Sequence, residues 1–190
     1  MTSEYSMKPL EILQYPTPIL KRKSKDITEI DQALVDLVHA MAVTMYDANG
    51  IGLAAPQVGR NINLVLVDVD SGSEEDTLLN LINPVIVEAH GRTTYEEGCL
   101  SFPGITAEVK RRDKIHVQAY DVEGNALDFE ADGLLSICVQ HELDHLQGIT
   151  FVDRLNPVQR KLVLREYRSL QDEMTKEAKE RLIEELHSAG

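Results

Sequence analysis

Two histidines and a glutamate stand close together in the sequence, at a spacing that suits metal chemistry. Residues His141-Glu142-Leu143-Asp144-His145 form an HExxH pattern. If this segment is helical, His141 and His145 lie about 40° apart around the axis and roughly 6 Å along it, so both imidazoles can reach one metal ion. Glu142 is turned away from that ion but stays close to a water molecule beside it, which it can deprotonate as a general base. The pattern predicts a hydrolytic metal site.

The HExxH pattern also arises by chance on solvent-exposed helices, and the neighbouring residues weigh against that alternative. Apolar side chains surround the pattern and predict a largely buried helix: Leu134, Leu135, Ile137, Val139 and Leu143. Two histidines and a glutamate without partners would be costly inside such a helix. The sequence therefore favours a metal-binding helix over a solvated one.

The third metal ligand has several candidates when the residues are considered by themselves. The spacing of metzincin proteases would place a histidine at position 151, where the chain has Phe151. Glu166 stands on a later segment that reads better as an exposed amphipathic helix. Cys138 shares the histidine face, but its short side chain leans toward the helix N-terminus, so we expect it to be a buried apolar residue. Cys99, in a glycine-containing turn that is expected to enter a strand, is the remaining candidate.

Three helices are predicted from apolar periodicity and from the residues that begin and end each segment. The chain start, QYPTPIL, is expected to be extended because Pro16 and Pro18 exclude a helix. Asn49-Gly50 ends the first helix, and Gly148 ends the second. Asn156-Pro157 supplies a cap and a first-turn proline for the third. The predicted helices cover about 30–46, Asp132 or Gly133 to Gly148, and Asn156 to about Leu186.

The middle of the chain reads as β-strands without regular βαβ alternation. Strand-like segments are INLVLVDVD, LLNLINPVIVEAH, TTYEEGCLSF, KIHVQAYD and NALDFEAD, and the last two form a hairpin around Glu123-Gly124. The Gly- and Ala-rich segment GIGLAAPQVG reads as a loop. This order predicts an α+β fold, with mainly antiparallel β-sheets packed around a central HExxH helix, an N-terminal helix and a long C-terminal helix. Residues 1–155 are expected to form the catalytic core, and 156–190 a helical extension of the same domain.

The composition limits the partners. The 190 residues carry a net charge of −13, which disfavours nonspecific binding to DNA or to anionic membranes. Residues 61–155 hold six basic and eighteen acidic residues. In that segment Lys110-Arg111-Arg112 is a basic island, expected to be a solvated strand end or, alternatively, a patch that steers the acidic end of a peptide.

The sequence shows neither a recognisable targeting signal nor a disulfide framework. The stretch MTSEYSMKPLEIL resembles neither a secretory signal nor a transit peptide. No apolar run approaches the roughly 18 residues of a membrane span. Two cysteines do not make a disulfide framework. We expect a soluble cytoplasmic protein with no membrane partner.

Three separate motifs together resemble a known family. The chain contains GIGLAAPQVG (50–59), EGCLS (97–101) and QHELDH (140–145), together with LINP at 81–84 and EADGLLSICVQHE at 130–142. In this order and spacing the motifs resemble those of bacterial-type peptide deformylases, and the resemblance covers nearly the whole chain. Three motifs that match together are far more specific than HExxH by itself.

The resemblance implies a metal centre of defined composition. Cys99, His141 and His145 would bind one divalent metal ion whose fourth position holds water. The family commonly uses Fe²⁺ in cells, and a site with one thiolate and two imidazoles also accommodates Zn²⁺, Ni²⁺ or Co²⁺.

The resemblance also implies the catalytic and substrate-binding roles. Glu142 would take the proton as water attacks the formyl carbon of an N-formylmethionyl peptide, and then pass it to the leaving amine. The Gln57 side-chain amide and the Leu100 backbone N–H would stabilise the oxyanion. Gly50 and Gly52 would leave room for the substrate backbone. The methionine side chain would enter a pocket lined by Ile51, Leu134, Ile137, Cys138 and the ring of His141.

The resemblance also implies the partners, while the HExxH pattern leaves two competing functions. The substrates would be N-formylmethionyl nascent peptides, from which formate is released. Some bacterial members dock on the ribosome through a C-terminal helix; here the basic residues early in the third helix leave a weak ribosome contact and a solvated face as alternatives. An HExxH endopeptidase and a non-catalytic metal-stabilised module are the competing functions, and the intact Glu142 and Gln57 count against the second.

Overall fold

Three α-helices and seven β-strands are found in residues 8–70 and 77–188, which are the part of the chain that the computed structural model describes. Their order confirms the predicted α+β fold. Much of the MTSEYSMKPLEIL stretch lies outside the described residues. The elements are α1 (Gln32–Asp47), β1 (Gly52–Ala54), β2 (Leu64–Val67), β3 (Leu79–His90), β4 (Thr93–Gly98), β5 (Thr106–Arg111), β6 (Lys114–Tyr120), β7 (Ala126–Asp132), α2 (Gly133–Leu146) and α3 (Pro157–Ser188).

Helix α2 ends and α3 begins next to the residues that the sequence predicted, whereas the residue that caps α1 had not been singled out. Asp31 caps α1, since its carboxylate accepts a hydrogen bond from the Leu34 N–H at 2.9 Å. Gly148, which follows α2, has a φ of +70°, and a Cβ there would lie 2.6 Å from the backbone carbon of Lys21. A positive φ cannot continue an α-helix, so α2 ends before Gly148, and only glycine fits the close contact with Lys21. No helix in residues 8–70 and 77–188 combines the length and apolar character that a membrane crossing requires.

The strands form two antiparallel sheets. The larger sheet has the order β1-β2-β3-β6-β7, and β4 pairs with β5 in a separate two-stranded sheet. The predicted hairpin corresponds to β6 and β7. The sequence did not indicate β1, because its residues Gly52–Ala54 form a strand only through pairing with β2. It also missed β5, which pairs with β4. Gly98 lies opposite Thr106 at one end of this ladder, and Thr93 lies opposite Arg111 at the other.

The expectation of a wholly extended chain start was wrong. A short 3₁₀-helix covers Pro18–Lys21, with the proline in its first turn. Proline has no N–H to donate, and the first helical turn needs none, so Pro18 is compatible with this position.

Helix α2 packs against the large sheet, and this packing positions the HExxH residues. Cys138, Val139 and Leu146 of the helix share one apolar core with residues of β1, β2, β3, β6 and β7. The C-terminal helix α3 covers another side: Tyr167 is buried against Phe102, and its hydroxyl donates to the Tyr15 carbonyl at 3.0 Å.

Candidate metal centre

Both histidines of the HExxH pattern are buried on α2. Their ring centroids lie 5.1 Å apart, and the planes cross nearly edge to face. Val139 is buried in the core and Leu135 and Leu143 pack against that core, as the sequence predicted. Ile137 is buried as well, whereas Leu134 is half-buried. The pattern therefore does not lie on a solvated helix surface.

Cys99 joins the two histidines. Its Sγ lies 3.3 Å from His145 Nε2, and the ligand atoms of Cys99, His141 and His145 all lie within 4.8 Å of one another. No other group of three such side chains is found in the described ranges. Cys99 directly follows the end of β4, and the turn that begins there leads into β5 at Thr106.

The other candidate ligands lie elsewhere. Cys138 is buried and its thiol donates to the Ile51 carbonyl at 3.4 Å. Burial, with the nearby charge of Glu142, raises the pKa of the Cys138 thiol well above its ordinary value. Glu166 is exposed on α3, as expected. Phe151 stacks on the ring of His141 with a centroid distance of 6.2 Å.

A buried carboxylate fixes the orientation of His141. The Nδ1 of His141 lies 2.8 Å from Glu97 Oε2, and a hydrogen bond donated there leaves Nε2 free as a ligand. Arg111 donates to both oxygens of Glu97, from Nε at 2.6 Å and from Nη2 at 2.8 Å. Burial by itself raises the pKa of Glu97, but the hydrogen bonds from Arg111 and His141 outweigh it and lower the pKa below its usual value. Glu97 is therefore an ionised acceptor.

Arg111 also links β5 to α2 through hydrogen bonds. Arg111 Nη1 donates to Asp144 Oδ2 at 2.6 Å, and Arg154 donates to both oxygens of Asp144. Arg111 is only 6% exposed, so the expectation of a solvated strand end was wrong for this residue. Side chains alternate along β5, so Arg111 points into the protein while Lys110 and Arg112 point outward.

Glu142 lies beside the triad in a different environment. It is 4% exposed, and its Oε2 has no hydrogen-bond partner among the described residues. Burial raises the pKa of Glu142 to about 7. A Cβ at Gly52 would lie 2.5 Å from Glu142 Oε1 and 2.8 Å from Cys138 Sγ. The glycine that we expected to admit a substrate backbone also gives α2 the room for this close contact.

Gln57 and Leu100 lie next to Cys99. The buried Gln57 accepts a hydrogen bond from the Ala54 N–H at 2.8 Å. Its Nε2 lies 3.2 Å from Ser101 Oγ and 3.6 Å from Cys99 Sγ, so the amide donor points toward the thiol. No group in residues 8–70 and 77–188 accepts a hydrogen bond from the Leu100 N–H.

A cavity of about 550 Å³ opens beside these residues. Its volume is in the range of pockets that hold small ligands. Tyr95, Phe102 and Ile105 also line it, and sequence reasoning did not single them out. The predicted residues in its wall are Gly50, Ile51, Gly52, Gln57, Cys99, Leu100, Leu134, Ile137, Cys138, His141 and Glu142.

The residues present fit a single divalent metal ion. One sulfur and two imidazole nitrogens within 4.8 Å of one another are a donor set that Zn²⁺ and other first-row metals accept. The unpartnered Glu142 Oε2 offers a base at the cavity next to that donor set. Sequence reasoning missed Glu97, Arg111 and Asp144, although each stands within a segment that it had quoted.

Comparison with known proteins gives consistent matches. Residues 9–161 match the family model described as Polypeptide deformylase. A peptide deformylase of Syntrophobacter fumaroxidans is 46% identical over 166 residues, which cover 87% of this chain and 98% of the relative. The peptide deformylase of Neisseria gonorrhoeae is 50% identical over 147 residues, covering 77% and 87%.

Solved structures give the same result. The crystal structure of a peptide deformylase from Legionella pneumophila has a TM-score of 0.83 and 38% identity, covering 88% of this chain and 98% of that one. A peptide deformylase from Synechococcus elongatus, solved in complex with actinonin, has a TM-score of 0.80 and 39% identity, covering 86% and 88%.

Proposed function

The chain belongs to the polypeptide deformylase family and removes the N-formyl group from newly made polypeptides, and from this premise we propose which of its residues carry the reaction. The enzyme is a hydrolase that acts on N-formylmethionyl peptides. The alternative of an HExxH endopeptidase is not favoured, since the relatives that match most of the chain are peptide deformylases.

Cys99, His141 and His145 hold one divalent metal ion in this proposal. Their ligand atoms lie within 4.8 Å of one another, and Glu97 turns His141 so that Nε2 is available. When bound, such an ion polarises the formyl carbonyl as a Lewis acid and makes a water molecule more acidic. We propose Fe²⁺ as the ion in cells, with Zn²⁺, Ni²⁺ or Co²⁺ as substitutes that the same donor set accepts.

Glu142 carries the proton. Its Oε2 takes a proton from the water that attacks the formyl carbon, and then returns it to the methionine nitrogen as the C–N bond breaks. The products are formate and a free N-terminal amine. The support is geometric: Oε2 is buried, makes no hydrogen bond among the described residues, and belongs to a side chain that lines the cavity.

Backbone and amide donors stabilise the charge that develops on the formyl oxygen. We assign this role to Gln57 Nε2 and to the Leu100 N–H, which flank Cys99. Gly50 and Gly52 border the path of the substrate backbone. The methionine side chain occupies the part of the cavity lined by Ile51, Leu134, Ile137 and Cys138.

The observation that carries the proposal is the proximity of one thiol and two imidazoles, beside a cavity that the unpaired Glu142 carboxylate lines. The test is formate release from a formyl-Met-Ala peptide by protein prepared anaerobically with Fe²⁺, beside a Ni²⁺-loaded sample. We expect rapid release from both samples and none from acetyl-Met-Ala. An absence of release, with metal content verified, would reject the proposed chemistry.

The two cysteines provide a matched test of the ligand assignment. Cys99→Ser should lose most of its bound metal, together with the thiolate charge-transfer band of a Co²⁺-loaded sample. Cys138→Ser should keep both, because Cys138 Sγ contacts the Ile51 carbonyl instead. Equal metal content in both variants would contradict the assignment of Cys99.

We also propose a weak ribosome contact through the first half of α3. Lys161, Arg165 and Arg168 are exposed there, whereas Arg160 forms an ion pair with Asp153 at 2.8 Å. Replacing the three exposed residues with serine should reduce co-sedimentation with ribosomes at low salt. Equal co-sedimentation of the variant and the unaltered protein would contradict the contact.

The same helix bears on domain organisation. We propose that residues 1–155 are the catalytic core and 156–190 a helical extension of one domain, because Tyr167 packs into the core against Phe102. The unaltered protein should therefore unfold in a single calorimetric transition. We place the reaction in the cytoplasm, where new polypeptides begin.

A further inference from the structure

Five basic residues converge on one cavity, on the side of α2 opposite the cavity beside the metal centre. Residues 61–155 contain six basic and eighteen acidic residues. Five of these six basic residues line a single cavity of about 580 Å³, and only Lys114 lies elsewhere. We call this cavity the cation pocket; its basic residues are Arg92, Lys110, Arg111, Arg112 and Arg154.

The strand register places three of these cations together. Thr93 pairs with Arg111 in the β4–β5 ladder, so Arg92 and Arg112 face each other one position farther along. Arg112 Nη1 lies 3.4 Å from the Gly91 carbonyl, which confirms the proximity. Lys110, two residues before Arg112, projects on the same outward face of β5. Like charges across a strand pair are destabilising, so the fold gains nothing from this arrangement.

Asp144 lies in the wall of the cation pocket and pairs with Arg111 and Arg154, but it does not pair with the other three cations. Among the described residues, Arg92, Lys110 and Arg112 form no ion pair. Asp113 is adjacent in sequence, but its side chain lies against Gly91. Arg154 uses two of its five N–H groups on Asp144 and keeps three.

The backbone that carries Arg112 is held rigidly. Its N–H donates to Gln140 Oε1 at 2.9 Å, and Gln140 Nε2 donates back to the Arg112 carbonyl at 2.9 Å. Ser136 Oγ donates to the same carbonyl at 3.1 Å. Gln140 and Ser136 are buried on α2, so the cations are presented from a fixed platform. A binding site arranged in advance loses less entropy when a ligand binds.

The rest of the cation pocket is largely apolar. Val85 and Ile86 of β3 and Leu143 and Leu146 of α2 contribute to its wall. The pocket therefore offers a cluster of positive charge at one part and an apolar surface at another. This combination suits a ligand that has a highly charged anionic group attached to an apolar or planar body.

We propose that the cation pocket binds an oligophosphate ligand, meaning two or more adjacent phosphates on a body such as a nucleoside. Three unpaired cations and the free N–H groups of Arg154 match a group with several negative charges, whereas one carboxylate would leave most of them unbalanced. Guanidinium groups bind phosphate oxygens through paired N–H donors. The site is distinct from the deformylase cavity, and its occupancy does not depend on the residue roles proposed above.

The test uses Ni²⁺-loaded protein and inorganic pyrophosphate, with binding measured by calorimetry and metal content checked before and after. We expect saturable 1:1 binding. Arg92→Ser/Lys110→Ser/Arg112→Ser should bind at least about tenfold more weakly. The matched control is Lys161→Ser/Arg165→Ser/Arg168→Ser, which removes the same charge from α3 and should bind as the unaltered protein does. Formate release should remain within about twofold in both triple variants, which shows that they fold.

The ligand source is distinguished by two further titrations, with ATP and with a short single-stranded RNA that has a 5′-hydroxyl. Tighter binding of ATP than of pyrophosphate would identify a free nucleotide as the source. The RNA is titrated into the Lys161→Ser/Arg165→Ser/Arg168→Ser variant, so that the surface of α3 does not contribute. Tighter binding of the RNA than of pyrophosphate would contradict the proposal, because RNA phosphates are single diesters separated by nucleosides. The proposal is overturned if pyrophosphate shows no saturable binding, or if the two triple variants lose the same amount of pyrophosphate affinity. It is also overturned if an oligo-glutamate peptide binds more tightly than pyrophosphate.

Discussion

Two buried glutamates lie next to His141 and both contribute to the wall of the same cavity, but their surroundings differ in one respect. Around Glu97, which we call the supporting side, Arg111 and His141 donate three hydrogen bonds to the carboxylate. Around Glu142, which we call the cavity side, Oε2 receives no hydrogen bond from the described residues. Burial raises the pKa of a carboxyl in both places; the donors lower the pKa of Glu97 below its usual value, while the pKa of Glu142 rises to about 7.

The comparison shows that burial does not by itself decide what a carboxylate does. Glu97 keeps a fixed negative charge because a guanidinium neutralises it inside the protein, so it serves to orient an imidazole. Glu142 has no such partner and can exchange a proton near neutral pH. The supply of hydrogen-bond donors therefore separates a positioning residue from a proton carrier. Replacing each group in turn should separate the two regions experimentally.

The largest expected effect is on the cavity side. Glu142→Gln should lower kcat by about 10²- to 10⁴-fold, because glutamine cannot accept the proton. Metal content and unfolding free energy should stay close to those of the unaltered protein. Formate release and metal analysis check this, with the exposed Glu166→Gln as control. Loss of metal or of folding in Glu142→Gln would mean that both glutamates are structural.

The second-largest expected effect concerns Arg111, which donates hydrogen bonds to Glu97. Arg111→Met leaves Glu97 and Asp144 buried without their shared partner, and should lower the unfolding free energy by about 3–5 kcal/mol. Denaturant unfolding measures this. The exposed neighbour Arg112→Met should change stability by less than about 0.5 kcal/mol.

A folding failure in Arg111→Met is covered by a second variant. Arg111→Lys keeps the charge but not the two-pronged contact with Glu97, so its loss should be smaller. Unaltered stability in both variants would show that the ion network does not support the site.

The third effect compares the two glutamates directly. Glu97→Gln should weaken metal binding by about 10- to 100-fold, because a neutral amide orients His141 less firmly. At saturating metal its kcat should fall less than that of Glu142→Gln. Metal titration with a competing chelator measures the affinity, and the exposed Glu108→Gln is the control. If Glu97→Gln kept its metal and lost its turnover, the two regions would not differ as described.

The smallest expected effect concerns Asp153, a partly exposed carboxylate that, like Glu97, accepts hydrogen bonds. Burial by itself raises the pKa of Asp153, but hydrogen bonds from Lys21 and Thr150 lower it below the ordinary 3.8. Because the folded pKa lies below the unfolded one, the stabilisation is complete at neutral pH and disappears as the pH falls through the folded value.

Asp153→Asn should therefore cost up to about 1 kcal/mol at pH 7, and the difference should vanish in strong acid. Urea unfolding at several pH values measures it, with the exposed Asp172→Asn as control. A difference that persisted in strong acid would indicate lost packing rather than lost charge.

Much of the fold was accessible from the sequence because its signals are local. Apolar periodicity and the capping residues located α1, α2 and α3, and turn residues located the β6–β7 hairpin. The strands β1 and β5 were missed because pairing with β2 and β4, rather than their own composition, makes them strands. The composition of a short segment does not show that it will pair with a neighbouring strand, even when that strand is the next one in the chain.

The site residues also fall into those that local spacing identifies and those that it does not. The HExxH spacing was enough to pair His141 with His145, because four residues on a helix return to one face. Cys99 was one of several candidate ligands until the resemblance was considered. The distance between Cys99 and the helix is a property of the folded chain.

The sequence by itself determined the helix that carries two imidazoles and a carboxylate, because spacing along a helix is a local property. Only the tertiary structure decided that Arg111 turns inward to Glu97 and Asp144, while Arg112 turns outward into the cation pocket. Neighbouring side chains of a strand point to opposite faces, and the register against β4 decides which of them is buried.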